Sequence, residues 1–131
     1  MDINVSYEQA HVPVTILQLN NRINLGTVGQ LMEKAQQEFT NGTRDLIIDL
    51  THVPSISSAG LRAISQIYKQ LNGIITLRPP TRAGDQDITQ ERNSHLVLVN
   101  PTPDVRRTLG IVGFDGFIDI YDDRHEALQA F

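Results

Sequence analysis

The sequence predicts an α/β fold, a single domain with a mixed central sheet of about five strands and about four α-helices. Three observations predict it. Short apolar runs of strand character alternate with longer segments whose apolar residues recur at helical spacing. The first half reads strand, strand, helix, strand, helix, an alternation typical of helices packed on a sheet. The chain has 131 residues, long enough to bury a core and most simply one domain over 1–131.

Ile3, Val5 and Tyr7 alternate with polar residues, as in a half-buried strand. His11 to Leu19 alternates too, through Val12, Val14 and Ile16 and then, after a slip, Leu17 and Leu19. Their connection near Glu8 to Ala10 is short, so they form a hairpin or an edge pair. Asn20-Asn21-Arg22 is a turn. A helix begins near Asn24, whose side chain can cap it. Val28, Leu31, Met32, Ala35 and Phe39 form its apolar stripe, with Glu33, Lys34, Gln36 and Gln37 toward water. Asn41-Gly42 ends it. Leu46-Ile47-Ile48, closing at Asp49-Leu50, is a buried strand.

After a brief connection containing Pro54, Leu61, Ile64, Tyr68 and Leu71 mark a second helix from Ser58. Asn72-Gly73 reads as its stop, and Ile74 to Leu77 as a short strand. Arg78 to Ser94 carries two prolines, no aromatic residue and no apolar periodicity. It is a loop longer than compact domains usually hold, either mobile or functional. Leu96 to Val99 is a continuous apolar strand fit for mid-sheet. Thr102 as cap, Pro103 at the first helical position and Asp104 on the dipole open a third helix. Val105, Leu109 and Val112 give that helix its apolar edge, and Gly113 closes it. Phe117, Ile118 and Ile120 form the last strand, and Asp123 with Glu126 boxes a terminal helix bearing Ala127, Leu128 and Phe131.

A net charge of -4 with scattered basic residues argues against a general nucleic-acid binder. Without cysteine there is no disulfide, thiolate metal site or Cys nucleophile, which fits a reducing cytoplasm. The N-terminus lacks a signal-peptide layout, and no apolar run approaches the ~20 residues of a membrane span. The expectation is a soluble cytoplasmic protein that meets a membrane only through a partner. No cofactor is implied: Gly26 and Gly29 fall at a helix start, but no phosphate-binding motif is complete. His11, His52, His95 and His125 lack ligand spacing, so no metal site is expected. Asp122-Asp123 reads as turn and cap chemistry.

The chain is organised around Leu46 to Leu71, where a strand and a helix meet at Ser57-Ser58-Ala59-Gly60. Such a helix start offers unpaired N–H groups and partial positive charge to an anion. The plain reading of Ser57 is an N-cap, with Ser58 an exposed first-turn residue. A serine hydrolase is the enzyme alternative. Its nucleophile elbow needs Gly on both sides of the serine, whereas Ile56 precedes Ser58 and only Gly60 complies.

The whole pattern DLTHVPSISSAGLRAI resembles the signature of the STAS domain, the family of bacterial anti-sigma factor antagonists and of sulfate-transporter cytoplasmic tails. Asp49, Leu50 and Thr51 match its opening, Val53 and Ile56 its apolar positions, and Ser58, Gly60 and Leu61 its core. The stretch from Leu96 onward is similar to the family's C-terminal half, with residues 78–94 as a loop insertion. The resemblance implies a non-enzymatic antagonist in a partner-switching pathway. Its partners would be an anti-sigma factor with serine kinase activity and a PP2C-type phosphatase, and it would be phosphorylated at Ser58 or, alternatively, Ser57. The implied contact surface is Val53, Pro54, Ser55, Ser57 and Ser58 with Arg62, Gln66 and Lys69 of the following helix. Two positions depart from the family: Ser57 stands for its Asp and Ala59 for its second hydroxyl residue. The alternative function is a non-phosphorylated STAS adaptor subunit of a membrane-lipid transporter or signalling scaffold.

Overall fold

A computed structural model describes residues 2–75 and 95–131, with the backbone alone over 72–75. Its described strands are β1 (Ile3–Gln9), β2 (Pro13–Leu19), β3 (Leu46–Asp49), β4 (Leu96–Val99) and β5 (Asp119–Tyr121). They form one sheet in that spatial order. The β1–β2 hairpin is antiparallel, with Tyr7 opposite Thr15, and the other neighbours run parallel. Helices α1 (Val28–Thr40), α2 (Ser58–Ile75) and α3 (Pro103–Ile111) connect the parallel strands, and α4 (Arg124–Gln129) follows β5. This mixed five-stranded sheet with four helices matches the predicted fold class.

Strand periodicity decides which helix meets which face. Leu17, Leu19, Leu46, Ile48, Leu96 and Leu98 point to one side. There they pack with Leu31 and Ala35 of α1, Ile64 and Ile67 of α2, and Val105 and Leu109 of α3. The alternate residues Val14, Ile16, Ile47, Val97 and Val99 form a smaller cluster with Ala127 of α4. Strands β3 and β4 are buried on both faces, hence their unbroken apolar runs. The same geometry removes the slip expected in β2, which pairs with β1 in unbroken register and is buried on both sides, Val14 and Ile16 on one face and Thr15 and Leu17 on the other.

Several boundaries differ from the sequence reading. Helix α1 starts at Val28, because Asn24 shapes a turn ahead of it: Asn24 Oδ1 accepts the Gly26 N–H at 2.9 Å, and Thr27 Oγ1 accepts the Asn24 N–H at 2.9 Å. Helix α2 continues through Asn72-Gly73 to Ile75, so Ile74 and Ile75 are helical, not strand. One Asn and one Gly disfavour a helix by only about 1 kcal/mol each, too little to stop one already propagating. Residues 76–94, including the rest of that expected strand and the expected loop, lie outside the described residues. Phe117 and Ile118 precede β5: Phe117 closes a 3-10 turn at Phe114–Gly116, and Ile118 turns into the core. The expected caps at Thr102 and Asp123 are present, accepting from Val105 N and Glu126 N, and Gly42 (φ 108°) follows α1 in the left-handed region.

Ile48 lies at the centre of the larger cluster and is fully buried. Ile48→Ala should cost about 2–5 kcal/mol. Urea unfolding would register it as a lower midpoint at unchanged slope; an unaltered midpoint would place Ile48 outside the core.

Candidate functional site

Where β3 ends, the chain does not run straight into α2 but is tied down first. The Val53 N–H bonds Leu50 O at 3.0 Å, and the Val53 carbonyl accepts Thr102 Oγ1–H at 3.0 Å. These bonds turn the Val53 side chain inward, where it is fully buried. Val53 therefore supports the expected contact surface from beneath and is not part of it. The segment then crosses Ile23: Ile23 N–H bonds Ser55 O at 3.0 Å, Ser57 N–H bonds Ile23 O at 2.8 Å, and Ile23 bridges Ile56 in parallel.

That crossing sets the first turn of α2 directly on the Ile23 backbone. A Cβ at Gly60 would fall 2.7 Å from side-chain carbons of Ile23 and Ile56 and 2.8 Å from Ile23 O. Only glycine permits this approach. With the helix so placed, Ser57 Oγ accepts the Gly60 N–H at 3.3 Å, as an N-cap should. Ser58, the first helical residue, is exposed, and its hydroxyl has no hydrogen-bond partner among the described residues. The two adjacent serines thus differ: one satisfies the helix end and is half-buried, the other is free.

Beneath the turn, Asp49 is 5% exposed. Alternation points it to the α4 face, where Arg124 Nη2 donates to its Oδ2 at 2.9 Å. Its other oxygen accepts Thr51 Oγ1–H at 2.6 Å and Thr51 N–H at 3.0 Å. Burial, the largest single influence, raises the Asp49 pKa, but the Thr51 bonds and the Arg124 charge together outweigh it and hold the carboxyl below its ordinary value. Asn100 Nδ2 donates to Thr51 Oγ1 at 3.2 Å, from a backbone with φ 51° that an asparagine tolerates. The loops after β3 and β4 and the start of α4 are thereby joined.

Among the expected contact residues, Pro54 is exposed and Ser55 half-buried, and Arg62, Gln66 and Lys69 are exposed. Ser58, Arg62, Gln66 and Lys69 share one stripe of α2, at spacings of four, four and three. Sequence reasoning passed over Leu25, 82% exposed on the turn two residues beyond Ile23. Its signal was an apolar residue between Asn24 and Gly26, inside turn chemistry. His11, His52 and His125 are exposed, while His95 Nδ1 lies 2.8 Å from Asp45 Oδ1. Among the described residues no group of three or more His, Cys, Asp or Glu side chains is placed to hold a metal, and no helix is long and apolar enough to cross a membrane.

Residues 6–76, more than half of the chain, match the family model described as the STAS domain. BtrV of Bordetella bronchiseptica, provisionally named an anti-sigma factor antagonist, is 27% identical over 113 residues, 86% of this chain and 82% of that protein. A Thermotoga maritima crystal structure, with the same provisional description, superposes with TM-score 0.74 at 23% identity over 96% of this chain and 92% of that one. The anti-sigma factor antagonist SpoIIAA superposes in its unphosphorylated form with TM-score 0.67 at 15% identity, covering 97% and 95% of the two chains. Its phosphorylated form, described as a Bacillus cell fate determinant, gives 0.65 at 13%, covering 98% of each.

Gly60→Ala should overpack the Ile23 crossing and destabilise the protein by about 1–3 kcal/mol. Thermal denaturation tests this, and a variant as stable as the parent would remove the close approach as a constraint. Asp49 supplies a pH dependence of definite sign. Because its native pKa is depressed, its contribution is fully present above the unfolded value near 4 and lost as pH falls through the native value. Asp49→Asn should cost about 1–3 kcal/mol at neutral pH. It should also flatten the acid limb of the stability–pH curve, whereas parallel limbs would show that Asp49 does not titrate with unfolding.

Proposed function

The chain belongs to the STAS domain family, and on that premise we propose that it is an anti-sigma factor antagonist switched by phosphorylation of Ser58. The observation that carries this reading is the division of labour between the two serines. Ser57 occupies the cap, so Ser58 is left with an exposed, unbonded hydroxyl at the start of an 18-residue helix. A phosphate there would add about -1.5 to -2 charges where the helix dipole favours negative charge, so the modified fold stays intact. The cost of modification falls on the complex. Added charge and bulk alter a docking surface of Pro54, Ser55, Ser57, Ser58, Arg62, Gln66 and Lys69, with Leu25 at its margin.

Two kinds of relative support the partner class. The similar proteins are described as anti-sigma factor antagonists, and one of them, SpoIIAA, is known in a phosphorylated form. An anti-sigma factor with serine kinase activity would bind the unmodified protein and phosphorylate Ser58; a PP2C-type phosphatase would restore it. Ser57 is the poorer acceptor, because its hydroxyl is half-buried and already engaged with the Gly60 N–H, whereas that of Ser58 is exposed to an incoming kinase. The protein acts here by binding, in the cytoplasm, and not by catalysis.

The second reading is a STAS adaptor that is never phosphorylated, serving a membrane-lipid transporter or a signalling scaffold. One observation favours it: a neutral Ser57 stands where the family signature carries Asp. Incubation with the cognate kinase and ATP, followed by mass spectrometry, decides between them. Phosphate on Ser58 is the expected result, and a persistently unmodified protein sinks the switch. Ser58→Asp should weaken anti-sigma factor binding about tenfold or more, with Ser58→Ala binding like the parent. Equal binding by both variants would support the adaptor.

A further inference from the structure

Glu38 breaks the pattern of its own helix. It lies seven residues after Leu31 and three after Ala35, within the buried stripe of α1, and is 5% exposed. A buried carboxylate ordinarily has a cationic partner or several donors. Among the described residues Glu38 has one: the Tyr7 hydroxyl donates to its Oε1 at 2.8 Å, and Oε2 takes no bond. The same contact raises the Tyr7 pKa above its ordinary value, first through the hydrogen bond, then through desolvation and the nearby carboxylate charge.

This carboxylate lines an open cavity of about 470 Å³ bounded by the C-terminal end of α1, the loop into β3, and β1 and β2. That volume lies within the range of small-molecule sites. Thr15, itself 5% exposed, and Thr43 share one hydrogen bond of 2.7 Å between their hydroxyls, leaving a second hydroxyl proton for another acceptor. Asp45, already partnered by His95, completes the acidic side. Arg44 lies on the same wall, yet it makes no ion pair with Glu38. Its Nη1 donates instead to the carbonyls of Thr43 at 2.8 Å and Phe39 at 3.4 Å, leaving Nε and Nη2 without partners among the described residues. One wall thus presents a buried carboxylate and an exposed guanidinium that are not joined to each other.

The geometry points to a second site here for a small zwitterion of the amino-acid type, its ammonium on Glu38 Oε2 and its anionic group on the free donors of Arg44. The acceptors around Glu38 and the negative end of the α1 dipole favour the ammonium. Arg44 would repel a simple cation but complements a ligand that carries both charges. Asp45 precedes β3 and the serine turn follows it, so the cavity is separated from Ser58 by roughly the 13 Å of a four-residue strand. The site is therefore distinct from the proposed switch.

The test uses the full chain and 4-aminobutanoate, followed by amide chemical shifts, with butylamine and butanoate as single-charge controls. The expected result is saturable shifts at Tyr7, Thr15 and residues 38–45, with each control binding at least about tenfold more weakly. Glu38→Gln and Arg44→Gln should each weaken binding about tenfold or more, and Ser58→Ala should leave it unchanged. Arg44 is exposed, so its variant keeps the test valid if Glu38→Gln fails to fold. No shifts up to about 50 mM, a control that binds equally well, or unchanged binding by Arg44→Gln would each overturn the proposal.

Discussion

The structure depends on one close approach, the first turn of α2 seated on the backbone of Ile23. A helix can come this near a neighbouring chain only where a side chain is missing, and Gly60 supplies that gap. Everything at the serine turn follows. The Ile23 carbonyl takes the Ser57 N–H, the Ser57 hydroxyl is directed to the Gly60 N–H, and the next residue faces outward. A helix start displaced by one residue would exchange the roles of the two serines. Packing, more than the chemistry of either hydroxyl, decides which is left exposed.

A second set of bonds fixes the turn from below. Asp49, at the end of β3, is held by Thr51 and by Arg124 from the terminal helix, while Asn100 and Thr102 reach over from the loop after β4. Each is a modest interaction alone, but together they join three segments of distant sequence around one buried carboxylate. A turn held on two sides presents its exposed residues in one arrangement. That suits a surface whose binding is changed by charge at one position, because no refolding of the turn is required.

Much of this was legible in the chain. The α/β order, the strand and helix patterns, the Thr102 and Asp123 caps, and the Ser57 cap all rest on local spacing, which sequence displays directly. The Asp49–Arg124 pair was not legible, since its members lie 75 residues apart and neither belongs to a motif that implies the other. Val53 was misplaced onto the surface because its burial depends on a hydrogen bond from Thr102, again far along the chain. Leu25 was hidden by the turn residues around it. The extension of α2 past Asn72-Gly73 shows that residues disfavouring a helix do not always end one. Glu38 was legible in principle, as a charge at an apolar-stripe position, and such conflicts tend to mark functional sites.

On the proposed function, phosphorylation of Ser58 changes partner affinity without disturbing the fold that presents it. The most direct measurement is the dissociation constant of the anti-sigma factor for this protein before and after complete phosphorylation of Ser58, with the melting temperature of both forms. A rise of about 100-fold or more, equivalent to about 2.7 kcal/mol, at an essentially unchanged melting temperature is the predicted result. An unchanged dissociation constant, or a loss of binding that accompanies unfolding, would contradict it.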